Sequence, residues 1–155
     1  MADTVDMTAG TSSSICGGGV KIANFVDLQD ANTANTIATA GALATTDIIQ
    51  CLDIPAGMLV KNVFIKIVRA ATATTLTCSV GHGGAAASWN ANTTDLDAVV
   101  GTLAYGVVDS DAFATAQGFL YTGADTIDIT LNTVTAVTAW PKILVTADCF
   151  DPTSG

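Results

Sequence analysis

His82 is the only histidine in the chain, and imidazole is the side chain best placed to move protons near neutral pH. It lies in the stretch VGHGG, close in sequence to Ser79 and Ser88 and a little further from Asp95 and Asp97, a set from which a Ser-His-Asp arrangement could in principle be assembled. The GxSxG pattern that would hold such a serine on a strained elbow is missing, and a lone histidine among glycines reads as a solvated or capping residue. GHGG also lacks the Gly-Lys-Ser/Thr ending and the following helix of a phosphate cradle. Gly81, Gly83 and Gly84 are instead expected to supply positive φ as the chain leaves a strand. Asp95 with Asp97, and Asp109 with Asp111, have the D-x-D spacing that opens many calcium loops. Neither pair continues with the glycine and distal glutamate of such a loop, and the chain contains no glutamate. The expectation is a protein that is not an enzyme, with no catalytic, metal-binding or cofactor-binding residue.

Cys16, Cys51, Cys78 and Cys149 lack the close paired spacing of a zinc site or a CxxC redox motif. Cys78 is in phase with Leu76 and Val80, and Cys149 with Ile143, Val145 and Ala147, so both read as small core hydrophobes. In a reducing compartment all four stay thiols, although four cysteines leave three full disulfide connectivities open. Trp140, just before Pro141, is expected to cap the end of the last strand. Trp89 stands in a polar tract and suits an interface anchor, because its ring is rigid and brings a large apolar area. The candidate interface residues are Trp89, His82, Val20 and Lys21.

The elements that would position these residues follow from composition and period. A chain of 155 residues fits one domain, and its abundance of alanine and threonine with few charges favours sheets over solvated helices. The net charge of −9 repels phosphate backbones, so no nucleic-acid partner is expected. No run of about 20 apolar residues suggests a membrane span, and the acidic N-terminus has no Sec-type signal. Residues 1–19 are small and polar and read as a flexible arm. Residues 59–69 alternate, with Leu59, Val63, Ile65 and Ile67 in one set and Asn62, Phe64, Lys66 and Val68 in the other, which is the period of a strand. Before them, Pro55 and Gly57 mark a turn. Further strands are expected over residues 20–28, 45–54, 74–80, 118–122, 125–132 and 141–150, with Ile127, Ile129 and Leu131 facing the core and Thr126, Asp128 and Thr130 facing out. Residues 30–44 read as a loop or irregular strand, and residues 81–97 and 109–117 as loops able to bind. The fold class is all-β: an antiparallel β-sandwich, jelly-roll-like, over residues 20–155, with an immunoglobulin-type sandwich as the nearest alternative.

The stretch IPAGMLVKNVFIKIVRAATATTLTCSVGHGG, followed by Trp89 and then DLDAVVGT, resembles small structural proteins of tailed bacteriophages over residues 52–102. The resemblance implies a capsid decoration, or cement, protein on the outer face of a head shell. Its partners would be the major capsid protein and copies of itself, as a homotrimer. It also implies residence in the virion after assembly in the host cytoplasm, with no cofactor. The family's loop after the second strand tends to be acidic and here is HGGAAAS, so no ion-binding role carries over. The alternative is a tail-fibre or adhesin sandwich that binds a cell-surface glycan through Trp89 and the two loops. A hydrolase using His82 ranks third.

Overall fold

The alternation from Leu59 to Arg69 is realised as one strand whose Val60, Val63, Ile65 and Ile67 are buried while Lys66, Val68 and Arg69 face solvent. A computed structural model describes residues 2–16, 19–39, 41–83, 85–106 and 118–152. The strands are β1 (Thr4–Asp6), β2 (Ser12–Cys16), β3 (Gly19–Asp27), β4 (Ile48–Ile54), β5 (Leu59–Arg69), β6 (Thr75–His82), β7 (Ala85–Asp95), β8 (Leu103–Gly106), β9 (Phe119–Leu120), β10 (Asp125–Thr135) and β11 (Lys142–Phe150). A 3-10 turn, Thr8–Gly10, separates β1 from β2, and one helix, α1 (Leu28–Thr39), follows β3. No helix among the described residues is long and apolar enough to cross a membrane.

The strands form two sheets that pack into an all-β, dominantly antiparallel sandwich. One has the order β1-β4-β10-β6-β7, and the other β2-β3-β11-β5-β8 with β9 added along β5. They are called the β10 sheet and the β11 sheet here, after their central strands. Consecutive strands from β3 to β6 cross from one sheet to the other, so the core closes only when both sheets are in place. Ile22, Val26, Ile65, Ile67, Ile143 and Val145 from the β11 sheet meet Ile49, Leu52, Leu76, Ile127, Ile129 and Leu131 from the β10 sheet, each at most 2% exposed. Side chains of that size contribute about 1.5–3 kcal/mol each on full burial. The Pro55–Gly57 turn ahead of β5 forms as expected. Gly57 takes φ +87°, a conformation glycine adopts without a Cβ clash, and its N–H donates to the Tyr121 carbonyl at 2.6 Å.

Four segments depart from the sequence expectation. Residues 2–16, read as an arm, are joined to both sheets: β1 runs parallel to β4 with Val5 opposite Ile49, and β2 runs antiparallel to β3. The composition argument weighs only side-chain burial, whereas an edge strand also gains ladder hydrogen bonds and needs few inward side chains. Here Val5 and Thr8 are buried, and Asn24 Nδ2 donates to the Met7 and Cys51 carbonyls, both at 2.8 Å.

Residues 30–44 contain most of α1 rather than a loop. The Asp27 carboxylate accepts the Gln29 N–H at 3.0 Å, capping the first turn, and Leu28, Ala31 and Asn35 turn inward at helical spacing. Residues 85–95 form β7 along β6 rather than a loop, with register shifts around Val80. In β10 the outward-phase Asp128 is buried, because β10 is a central strand and its neighbours Ser79 and Gly81 are buried with it. The expected loop at residues 109–117 lies outside the described residues.

Candidate functional site

The outer face of the β11 sheet is built by three strands in register. Leu144 of β11 lies between Phe25 and Lys66, Thr146 between Ala23 and Phe64, and Asp148 between Lys21 and Asn62. Alternation sends these residues outward as their neighbours enter the core. Lys21 Nζ donates to Asp148 at 2.7 Å across β3 and β11. Arg69 grips Asp27 through two hydrogen bonds of 2.6 and 3.0 Å and also donates to the Trp140 carbonyl at 3.2 Å. Burial alone would raise the Asp27 carboxyl. The Arg69 hydrogen bonds, the Gln29 N–H and the charges of Arg69 and Lys142 outweigh it and hold the group below its ordinary value. At one end of the sheet, the Lys61 ammonium sits 5.6 Å from the centroid of the Phe150 ring, a cation–π arrangement. Between them opens a groove of ≈ 340 Å³ lined by Val20, Lys21, Lys61, Asn62, Asp148 and Phe150. Phe25 is 59% exposed and Phe150 42%, a large apolar offering for an otherwise charged face.

Val20 and Lys21, two of the four interface candidates, therefore share this groove. The other two, His82 and Trp89, belong to the β10 sheet and its filling. Trp89 is fully buried and donates its indole N–H to the Tyr121 hydroxyl at 3.3 Å, so it is a core residue and cannot anchor an interface. Its strand is otherwise small and polar, and its one large ring turns inward. Burial pushes the Tyr121 phenol well above its ordinary range, against the opposing Trp89 hydrogen bond. The His82 ring stacks on Phe119 at 4.9 Å, meets the Tyr121 edge at 5.6 Å, and places Nδ1 at 3.3 Å from Asp125 Oδ2. With only 11% of its side chain exposed, His82 is packed between elements rather than displayed in a turn. Gly83 matters there for space and not for positive φ, because a Cβ on it would sit 2.6 Å from Asp125 Oδ1; Gly81 lies within β6.

The expected chemical combinations are not assembled. The Ser79 hydroxyl donates to Asn132 at 3.3 Å, and the Ser88 side chain lies outside the described residues. Asp95 and Asp97 fix the end of β7 against the start of β6: Asp95 accepts the Asp97 N–H at 3.2 Å and Asp97 accepts the Leu76 N–H at 3.3 Å. The hydrogen bond between the two carboxyl groups raises Asp95 above its ordinary value. Among the described residues no three His, Cys, Asp or Glu side chains are grouped as metal ligands; Asp109 and Asp111 lie outside them. Cys51, Cys78 and Cys149 are buried free thiols. Burial pushes Cys78 and Cys149 each up to about 12 and Cys51 well above its ordinary value. The Cys16 side chain lies outside the described residues.

Sequence reasoning missed Lys61, Asn62, Asp148 and Phe150 as partners of Val20 and Lys21. A signal was present: every Lys and Arg of the chain (Lys21, Lys61, Lys66, Arg69 and Lys142) falls on β3, β5 or β11.

No protein-family model and no curated protein matches the sequence. Solved structures match its fold over nearly the whole chain. A chain from the capsid of Ralstonia phage GP4 has a TM-score of 0.65 at 14% identity, covering 97% of this chain and 99% of that one. A chain from the capsid asymmetric unit of the cyanophage Pam1 has a TM-score of 0.59 at 18% identity, covering 91% of each.

Proposed function

We propose that this chain is a structural component of a phage virion: a decoration, or cement, protein that binds the outer capsid surface and stabilises the shell. Its partners are the major capsid protein and further copies of itself, associated as a homotrimer. The observation that carries this reading is the end-to-end fold match to chains from two phage capsids, with coverage of 97% and 99% for the GP4 chain. At such low identity the match gives fold and not role, so the rest of the support comes from the surface. The strand orders β3-β11-β5-β8 and β4-β10-β6-β7 suit an eight-stranded jelly roll. That rigid double sheet leaves one outer face charged, aromatic and grooved. A net charge of −9 keeps such a module off packaged DNA, which favours the outside of a shell. The role is structural rather than catalytic. The glycan-binding alternative loses its anchor with the burial of Trp89.

The test is co-sedimentation of the purified chain with heads of the phage whose genome encodes it, prepared from a deletion strain. Saturable attachment, with heads that keep their DNA to higher temperature once decorated, is the expected result. Heads that neither bind the chain nor change in heat resistance would overturn the proposal.

A further inference from the structure

We infer that the outer face of the β11 sheet docks the acidic β10 sheet of a second copy of this chain, so that copies associate front to back through a salt-sensitive contact. The inference rests on the shell-protein reading and names the faces that such a repeated subunit would use.

Charge is segregated by sheet. The strands of the β11 sheet carry all five bases and two acids, Asp27 and Asp148, for a balance of +3; among the described residues the other ten aspartates lie off those strands, without a single Lys or Arg among them. The β10 sheet carries Asp6, Asp53, Asp95, Asp125 and Asp128 on its strands and no base. Asp6, Asp53 and Asp95 are exposed. One molecule thus presents a cationic sheet on one side and, along the margins of the other sheet, the exposed carboxylates of Asp6, Asp53 and Asp95, and the surface that best complements the first is this acidic side of a neighbour. Such a contact pairs unlike patches, so it is heterologous and builds rings or extended arrays rather than an isolated dimer.

The face also has the chemistry and size of a protein interface. Phe25 and Val68 are exposed at the end of the sheet that carries Lys66 and Arg69, and Phe150 at the other end beside Lys61; aromatic residues and arginine are the types enriched in protein contacts. β3, β11 and β5 run nine to eleven residues each, and the shorter β2 and β8 flank them with five and four; at about 4.8 Å between strands and about 3.3 Å per residue they give a flat footprint of roughly 600 Å². With side-chain relief added, this approaches the ~800 Å² per partner of a standard interface. A nucleic acid fits less well. Lys21 and Arg69 are already held by Asp148 and Asp27, which leaves Lys61, Lys66 and Lys142 to meet phosphates on a molecule of net charge −9.

The test is sedimentation velocity and native mass spectrometry of the full chain between about 0.1 M and about 1 M NaCl, which shortens the Debye length from about 10 to about 3 Å. Self-association at low salt and dissociation at high salt are expected. The double variant Lys61→Glu/Lys66→Glu should weaken association roughly 10- to 100-fold, and mixing it with Asp53→Lys/Asp95→Lys should restore a mixed complex. Lys66→Glu alone, at an exposed position, repeats the test at smaller amplitude should the double variant fold poorly by circular dichroism. A wild-type chain that stays monomeric at low salt, association indifferent to these charges, or duplex DNA bound through the same lysines would each overturn the inference. Head binding is scored separately. Heads decorated equally by wild type and double variant, with no salt-dependent self-association, sink this inference and leave the shell-binding reading standing. Salt-dependent association without head binding does the reverse.

Discussion

Replacing Asp128 with asparagine should make the protein more stable at neutral pH and remove a pH dependence that the wild type carries. Asp128 is 5% exposed on the central strand β10, and its Oδ1 has no hydrogen-bond partner among the described residues. Burial pushes its carboxyl from 3.8 up to about 6, with a hydrogen bond from Thr126 opposing the rise and the charge of Asp125 adding to it. Below the unfolded value both states hold the proton, and the group costs little. As the pH rises from about 4 to about 6, the unfolded chain releases its proton while the folded chain retains it, so stability falls. At 1.36 kcal/mol per pH unit, the difference between 3.8 and about 6 corresponds to a loss of about 3 kcal/mol. The assay is urea unfolding of both proteins at a series of pH values, followed by the fluorescence of the buried Trp89 and Trp140. Asparagine brings its own packing change, but that change is the same at every pH. The quantity to read is therefore the growth of the variant's advantage from about pH 4 to above pH 7, expected to approach 3 kcal/mol. Parallel stability curves would refute the argument that Asp128 is buried with its charge uncompensated.

Two further outcomes follow from the described contacts. Deleting residues 2–16 removes β1 and β2, exposes the core beside Val5 and takes the Met7 carbonyl from the buried Asn24 amide. The loss should be at least about 3 kcal/mol by urea unfolding, and an unchanged midpoint would restore the flexible-arm expectation. Cys51, Cys78 and Cys149 are buried, with thiols pushed well away from ionisation. A thiol reagent at mildly alkaline pH should leave these three untouched in the native protein and label all four cysteines after denaturation.

The strands most legible in the sequence are those whose inward positions carry large aliphatic residues. β5, β10 and β11 announce themselves through Val63-Ile65-Ile67, Ile127-Ile129-Leu131 and Ile143-Val145. Elements that owe their existence to position rather than to side chains were hidden. β1 and β2 are polar edge segments held by main-chain ladders. β7 is made of alanine, asparagine and threonine around one inward tryptophan. Helix α1 consists largely of poor helix formers, with threonine hydroxyls donating back to carbonyls four residues earlier, and its fixed points are a cap and two apolar residues. Alternation reports the side of a sheet but not the depth of cover, which is why Asp128 looked exposed. At the candidate interface, Val20 and Lys21 line a groove with Lys61, Asn62, Asp148 and Phe150, a grouping across three strands that no local pattern in the sequence marks. Trp89 was misassigned because a large ring in a polar tract has the same sequence appearance whether it points in or out. The placement of every base on three strands of one sheet becomes visible as a face only once β3, β11 and β5 are known to be neighbours.

Whether this sandwich is a shell-bound subunit is decided by a cryo-EM map of the intact virion. Density matching the two sheets is expected on the outside of the head, seated on the major capsid protein, with the charged and aromatic β11 face turned toward a neighbouring copy. Density for this chain in the tail, inside the shell, or nowhere in the particle would overturn that reading.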